Sequence, residues 1–360
     1  MNRYKSSLVW IGLGLAAILL RLLLGAHPEW TEQYYSRAFF LGIRTFIDHT
    51  VAYLPFPVLY LVVLAVLAGT FVKARKLWRL PVSRVEKGIR AGLGLLGFVG
   101  GAIFFFLVLW GYNYGRVPVE QQLVLVLSPL PIEALKAEMI DEAEQVIALR
   151  KKIKGTDTTA IDASFLSEDL EEQLRSDLEG VLEELGFPTT GKVRAKRIYP
   201  RGIFLRFSSS GMYFPWSGEG QVDAGLDPLS IIPVMAHELS HGYGFGDEGT
   251  CNFWAYVACT RSADPLIAYA GHLDHFRTLA AHYLRYDREA YFALREQLPA
   301  GIQADLDAIN DNLRKYPDIM PELRYAAYDT YLKAQGIKEG IKNYSRVVMM
   351  VKAWKEARKS

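Results

Sequence analysis

The sequence His237-Glu238-Leu239-Ser240-His241 holds two histidines four positions apart, with a glutamate directly after the first. In a helix, side chains four positions apart lie on one face, so both imidazoles can bind the same Zn²⁺ ion. Glu238 would then lie beside a water molecule on the metal and could accept its proton. The pattern therefore predicts His237 and His241 as zinc ligands and Glu238 as a general base, with Zn²⁺ as the cofactor.

The residues around the motif predict a helix that ends soon after it. Asp227 and Pro228 are typical of the first positions of a helix, and a mostly apolar segment follows them. Glycines at positions 242, 244 and 246 then interrupt the helix, because glycine favours sharp turns. Such a turn would bring an acid from the next segment back to the metal.

Two acids are candidates for the third ligand. Glu248 and Asn252 stand one helical turn apart, which resembles the E-x-x-x-D segment of gluzincin membrane proteases such as the CaaX prenyl-protein proteases, where the Glu binds zinc. Asp247 is the alternative third ligand, since it fits the spacing of the metzincins. We favour Glu248 because we identify no downstream Met turn of the metzincin kind. Asn252 is expected to orient Glu248 or the first helix, and Cys251 ranks below both acids as a ligand.

Three protein ligands leave one zinc position open to water, an arrangement typical of catalytic sites. We therefore expect hydrolysis of peptide bonds by a metal-activated water, with Glu238 passing the proton to the leaving amine. Tyr344 and Arg346 are predicted to stabilise the charge that develops on the carbonyl oxygen. The alternative is a catalytically inactive zinc-binding membrane sensor or assembly scaffold. The presence of Glu238 argues against it, because an inactive site needs no general base.

The chain is 51% hydrophobic, and the excess lies near its N-terminus. Residues 8–24, 56–72 and 93–112 are each long and apolar enough to cross a hydrocarbon core of about 30 Å as helices. We therefore predict a membrane anchor with three transmembrane helices in residues 1–115. A second domain, residues 116–360, has the composition of a soluble domain.

Basic residues predict the orientation of this anchor. Positive charge concentrates before the first span and between the second and third, which favours the cytoplasmic side for both segments. With three spans, residues 116–360 would be extracytoplasmic, in the periplasm of a bacterium whose inner membrane holds the anchor. The partners expected are the lipid bilayer and a peptide or membrane-protein substrate. A formal net charge of +2 gives no indication of nucleic-acid binding. The basic residues between the second and third spans are Lys73, Arg75, Lys76, Arg79, Arg84, Lys87 and Arg90.

The predicted fold class is α+β: three transmembrane helices followed by a mostly helical zincin-like domain with a small sheet. Strand signals fall at 193–199, 203–207, 211–214 and 221–224, directly before the motif helix. Residues 212–215 are typical of the edge strand along which zincin proteases bind an extended peptide, although an ordinary edge strand fits equally well. Helices are predicted at 131–153, 168–185, 265–283, 289–298, 304–314, 322–334 and 338–358. His272, His275 and His282 lack the paired spacing of the motif, and we expect no ligand role for them.

As a whole, the chain resembles a bacterial family of membrane-anchored H-E-x-x-H proteins that is catalogued as a domain of unknown function. The resemblance rests on the apolar N-terminal spans and on three segments, at residues 110–114, 211–215 and 237–259. Family members often carry a second acid two positions before the Asn, where this sequence has Thr250. The resemblance implies gluzincin-like peptidase chemistry with Glu248 as the acid, and it implies no particular substrate.

Overall fold

The computed structural model describes residues 4–319, 321–338 and 346–358, which form two compact units. The first consists of Met1–Val117, Thr190–Lys192 and Phe214–Glu219, and the second of Pro118–Thr189, Val193–Tyr213 and Gly220–Ser360. The α-helices in the described residues are α1 (Lys5–Ala26), α2 (Pro28–Trp30), α3 (Phe40–Asp48), α4 (Leu59–Arg79), α5 (Arg84–Leu109), α6 (Val119–Gln122), α7 (Ile132–Arg150), α8 (Leu170–Glu184), α9 (Pro228–Gly242), α10 (Glu248–Thr260), α11 (Pro265–Tyr283), α12 (Arg288–Glu296), α13 (Ala300–Arg314), α14 (Pro321–Ala334) and α15 (Arg346–Ala357).

In the first unit, α1 and α5 pack side by side and run parallel. Gly100 lies so close to α1 that an added Cβ atom would be 2.5 Å from the carbonyl oxygen of Trp10. Further along both helices, the Arg21 guanidinium donates a hydrogen bond of 3.0 Å to the carbonyl oxygen of Gly111. Contacts later in α1 are therefore made with residues later in α5, which shows that the two helices run in the same direction. Small residues at such a contact let two helix backbones approach closely.

Two helices in the described part of the chain, α1 and α5, are long and apolar enough to cross a membrane. The prediction of three such helices is therefore wrong for the middle one. Pro55 and Pro57 delay the start of α4 until Leu59, and Lys73 already interrupts its apolar surface. The apolar part of α4 is roughly 20 Å long at 1.5 Å per residue, which is shorter than a hydrocarbon core.

The core of the second unit is built around α9 and α10, with α8, α11 and α15 packed against them and α7 packed against α11. Both central helices are buried along most of their length. Trp254, Phe253 and Tyr269 are among the largest side chains that are fully excluded from solvent there. Polar groups on α9 and α10 are consequently held in fixed positions, since close packing restricts side-chain movement.

The described strands form one sheet in the order β1 (Ala195–Ile198), β3 (Glu219–Asp223), β2 (Gly211–Phe214). β1 and β3 are parallel, with Ala195 opposite Gly220 and Ile198 opposite Asp223. This arrangement confirms the α+β class with a small sheet and leaves β2 at an edge.

The strand predicted at residues 203–207 is wrong. Leu205–Phe207 form a turn of 3₁₀ helix instead. The buried carboxylate of Asp223 accepts hydrogen bonds from the backbone N–H groups of Gly202, Phe204 and Leu205 at 2.7 to 3.2 Å. These amides are therefore turned toward one side chain and cannot pair with a neighbouring strand.

Candidate metal centre

The turn between α9 and α10 returns the chain to the histidine motif. The side chain of Asp227 caps α9 by accepting a hydrogen bond from Leu229 N–H at 3.0 Å, as predicted from the sequence. After α9 ends at Gly242, Gly244 takes a left-handed conformation with φ of 86°, which glycine adopts without strain. Asp247 then caps α10, since its Oδ1 atom accepts a hydrogen bond from Thr250 N–H at 2.7 Å. The first residue of α10 is thereby brought beside α9.

Three of the predicted ligand side chains converge at this point. The Nε2 atom of His237 lies 3.1 Å from Nε2 of His241 and 3.1 Å from Oε2 of Glu248. The Nε2 atom of His241 lies 3.6 Å from the same Glu248 oxygen. His241 and Glu248 are buried, and only 12% of the His237 side chain is exposed. Ligand atoms about 2.0 to 2.1 Å from a tetrahedral zinc ion are about 3.3 Å apart, so this triangle has the dimensions of one face of such a site.

Hydrogen bonds on the far side of each ring orient both imidazoles. The Nδ1 atom of His241 donates to the carbonyl oxygen of Phe245 at 2.7 Å. The Nδ1 atom of His237 lies 2.7 Å from Oδ1 of Asn252, which can accept its proton. With the proton on Nδ1, each Nε2 atom keeps a lone pair that faces the convergence point. Metal-binding histidines are generally held in this way by an acceptor on the second nitrogen.

His237, His241 and Cys251 also form a group that could hold a metal ion, with ligand atoms within 4.8 Å of one another. The Sγ atom of Cys251, however, lies 3.3 Å from Nδ1 of His241 and donates to the Phe245 carbonyl oxygen. It is therefore beside the protonated nitrogen of His241. Glu248, by contrast, faces the Nε2 atoms of both histidines. We give more weight to the group containing Glu248, because its ligand atoms share one side of both rings.

Electrostatics favour an ionised Glu248. Burial opposes the charge, but positive charge at this point, carried by the rings of His241 and His237 when they are protonated, outweighs burial and holds the pKa of Glu248 well below its ordinary value. Tyr328 donates a hydrogen bond of 3.1 Å to the other carboxylate oxygen, Oε1. A charged carboxylate with one oxygen held by Tyr328 presents the other oxygen to the histidines.

Glu238 lies on the same helix between the two histidines and is only 4% exposed. Burial raises the pKa of its carboxyl to about 8; the charge of Glu248 adds to this effect and His237 opposes it. Its Oε2 atom is buried without a hydrogen-bond partner in the described structure. A carboxyl group with a pKa near neutrality can both accept and release a proton, as a general base requires.

The sheet approaches Glu238 closely through two glycines. A Cβ atom on Gly211 of β2 would lie 2.5 Å from Oε1 of Glu238, and one on Gly220 of β3 would lie 2.7 Å from its Cβ atom. Side chains at either position would displace the glutamate. The edge strand β2 thus begins directly beside the candidate general base.

A cavity of about 510 Å³ opens onto this centre. His237, Glu238 and Asn252 line it together with Gly211 and Tyr328. Sequence reasoning did not single out Tyr328, because its helix showed only the spacing of an ordinary amphipathic segment. The sequence gives only a weak indication of a role for Tyr328, which is that tyrosines recur three positions apart, at 325, 328 and 331.

The remaining predicted site residues lie away from the histidines or outside the described residues. Both carboxylate oxygens of Asp247 are engaged, one by the α10 cap and the other by Arg346 at 3.0 Å. Arg346 also pairs with Glu120, so its guanidinium is shared by two carboxylates. Neither contact places Asp247 or Arg346 against the histidines. Tyr344 falls outside the described residues.

A second group of largely buried polar side chains connects α7, α10, α11 and α15. Glu142 accepts hydrogen bonds from Tyr256 at 2.9 Å and from Lys355 at 2.5 Å, and its other oxygen lies 2.6 Å from Nδ1 of His272. Burial opposes ionisation of Glu142, but His272, His275 and Lys355 outweigh it and lower the pKa of Glu142 to about 2. His275 is buried beside them and its pKa falls to about 4, chiefly because burial disfavours the charged ring. These contacts are those of a structural ion-pair network.

Comparisons with known proteins give one family. A sequence profile described as "Protein of unknown function (DUF3810)" matches residues 35–351, and this description names no activity. Searches of curated proteins and of solved structures gave no match. Since the profile spans most of the chain, from the segment between α2 and α3 to the last helix, the chain belongs to the DUF3810 family.

Proposed function

We propose that the chain is a membrane-anchored zinc-dependent endopeptidase in which His237, His241 and Glu248 hold the metal. The observation that carries this proposal is the convergence of the two Nε2 atoms and Oε2 of Glu248 within 3.1 to 3.6 Å of one another. The donor set of two imidazoles and one carboxylate is common at catalytic zinc sites. An ion pair between Glu248 and one histidine would need only one imidazole. Here a second imidazole also turns its unprotonated Nε2 atom to the same point, as a metal site requires.

When bound, zinc would supply Lewis acidity that lowers the pKa of water and stabilises negative charge on a carbonyl oxygen. Glu238 would accept a proton from the attacking water and pass it to the amine that leaves. The buried, unpartnered Oε2 atom of Glu238 suits this role, because a water molecule in the cavity would satisfy it. Tyr328 would hold Glu248 in place and present its hydroxyl to the same cavity.

An extended peptide is the substrate that the sheet accommodates best. β2 is an edge strand, and its first residue, Gly211, lines the cavity beside Glu238. An edge strand can hydrogen-bond an incoming chain through its backbone N–H and C=O groups. This route would position the scissile bond near Glu238 without requiring a particular side chain at every position.

Anchoring in a bacterial inner membrane, with the second unit in the periplasm, is part of the same proposal. If both parallel helices α1 and α5 span the membrane, the segment between them must return across it. The apolar part of α4 is shorter than a hydrocarbon core, so α4 would make that crossing where the bilayer is thinned around it, with the lysines and arginines at its C-terminal end reaching the headgroups. An odd number of crossings then puts the second unit opposite the basic N-terminus.

The substitution Glu238→Gln tests the proposed chemistry. It should leave zinc binding intact and lower kcat for peptide hydrolysis by about 10²- to 10⁴-fold, since it removes the proton acceptor. Glu144→Gln, at an exposed position on α7, is the matched control and should retain activity. Zinc content and hydrolysis of internally quenched peptides are measured on the full chain in detergent. Equal hydrolysis by the Glu238→Gln variant and the wild type would refute the peptidase.

A further inference from the structure

A carboxylate outside the proposed catalytic set also faces the cavity. Asp274 lies on α11 and lines the cavity together with His237 and Glu238. Half of its side chain is exposed, at 49%. Desolvation raises the pKa of the Asp274 carboxyl above its ordinary value, and the neighbouring Arg277 and His237 oppose this effect and favour the charged form. Its nearest described cation is Arg277, one turn along the helix, at a long separation of 3.8 Å. Such a contact is weak, and the carboxylate remains accessible from the cavity.

The charges of the cavity wall are unbalanced. Its described lining contains the carboxyl groups of Glu238 and Asp274 but no lysine or arginine. In the proposed holoenzyme, the charge of Zn²⁺ is partly offset by its ligand Glu248. Asp274 gives its own side of the cavity a local negative charge. A cationic group of a ligand would neutralise it, whereas an anionic group would be repelled.

The rest of the wall suits a long side chain with a charged end. Phe207, Val234 and Ala255 provide apolar surface, while Ser208, Ser209 and Ser210 make one side of the wall more polar. Lysine and arginine side chains combine an apolar stem with a cationic head, so they can use both kinds of surface. A neutral apolar side chain would give the Asp274 carboxylate no cationic group beyond Arg277.

We propose that Asp274 is a specificity-determining residue that selects substrates with a lysine or arginine close to the scissile bond. This inference rests on the proposed peptidase function. The supporting geometry is the placement of one accessible carboxylate and an apolar wall in the cavity that contains His237 and Glu238.

Binding is measured separately from cleavage in order to test this assignment. The zinc-loaded Glu238→Gln chain is titrated with fluorescent peptides of one common sequence, in which each position in turn is lysine, norleucine or glutamate. At one position, lysine should bind about fivefold more tightly than norleucine, and glutamate more weakly than both. Raising the ionic strength should reduce the advantage of lysine.

Substitutions in the same background identify the carboxylate responsible. Asp274→Asn should remove the preference for lysine, Asp274→Lys should convert it into a preference for glutamate, and Asp274→Glu should retain it. Asp311→Asn, on the exposed surface of α13, is the matched control and should leave the preference unchanged. Zinc content and far-UV circular dichroism equal to those of the parent confirm that each variant is folded.

The possible results distinguish the role of Asp274 in specificity from the proposed peptidase function. Absence of a lysine preference at every position, or its persistence in Asp274→Asn, would overturn the role of Asp274. Preferential binding that depends on Asp274, without cleavage of the bound peptide by the wild-type chain, would leave that role standing and refute the peptidase. The two claims therefore fail separately.

Discussion

His237 and Glu248 are eleven positions apart, yet Nε2 of the first lies 3.1 Å from Oε2 of the second. The contact depends on the turn that follows α9, where Gly244 adopts a left-handed conformation. It also depends on the hydrogen bond from Tyr328, which holds the opposite carboxylate oxygen. The acid thus reaches the motif because a backbone turn and a third helix both position it.

The group with Glu248 and the group with Cys251 predict opposite effects of two substitutions on zinc binding. Glu248→Ala should weaken zinc binding by more than about 100-fold, because losing a ligand costs more than losing one of its supporting hydrogen bonds. Cys251→Ala should retain zinc, since the thiol lies beside the protonated Nδ1 atom of His241. Affinity is measured by competition with a chromophoric chelator. Zinc loss in the Cys251 variant with retention in the Glu248 variant would instead identify the thiol as the ligand.

A substitution of Tyr328 tests whether its hydrogen bond positions the Glu248 carboxylate for zinc binding. Tyr328→Phe removes one hydrogen bond to Glu248 and should weaken zinc binding by about 10- to 100-fold, as expected for a group that orients a ligand. Tyr325→Phe, three positions earlier on α14 at an exposed position, is the control and should bind zinc like the wild type. The same chelator competition measures both variants. If both bind zinc as tightly as the wild type, Tyr328 does not position the ligand.

The sequence was sufficient to predict the elements that carry this centre. The position of α9 is predicted by the capping residues at 227 and 228, by the apolar segment after them and by the glycines that end the helix. The strands at 195–198 and 211–214 are predicted by their composition and by the alternation of polar and apolar residues. These signals are local, so they can be read without knowledge of distant contacts. Asn252 is expected to orient Glu248 or the first helix, and its Oδ1 atom contacts Nδ1 of His237 on that helix.

Features that depend on distant partners could not be predicted. Residues 203–207 have the composition of a strand, but Asp223, well outside that segment, draws their amides into a turn. Arg346 was chosen as an oxyanion donor from composition alone, and its pairing with Asp247 and Glu120 depends on tertiary packing. Tyr328 was missed for the same reason, because nothing in its own helix indicates a contact with Glu248.

The proposed membrane arrangement predicts which side of the membrane each segment occupies. A cysteine introduced at the exposed position Lys151, on the second unit, should react with a membrane-impermeant maleimide in spheroplasts. A cysteine at Lys76, at the basic end of α4, should react only after the membrane is permeabilised, because basic segments stay cytoplasmic. Cys251 and Cys259 are buried and should contribute little background. Reaction of both positions from the same side would contradict a return crossing by α4.

The buried network around Glu142 predicts a specific loss of stability in acid. His275 has a pKa of about 4 in the folded chain, below its ordinary value of 6.5, because burial and Lys355 oppose its protonation more than Glu142 and Glu138 favour it. Between these two pH values the unfolded chain binds a proton that the folded chain does not. The free energy of unfolding should therefore fall as pH decreases from 6.5 to 4, with a slope of at most about 1.4 kcal/mol per pH unit from this group.

Replacing the titrating ring isolates its contribution. His275→Leu should flatten the pH dependence of unfolding between pH 6.5 and 4, whatever its effect on stability at neutral pH. His49→Gln, at an exposed position on the first unit, should leave the slope unchanged. Urea unfolding is followed in detergent with a chelator present, so that release of zinc from the motif histidines does not add to the slope. Glu142 has a lowered pKa, so its own contribution should be lost only below about pH 4.5, as the pH falls toward 2. An unaltered slope in His275→Leu between pH 6.5 and 4 would show that a different group controls acid unfolding.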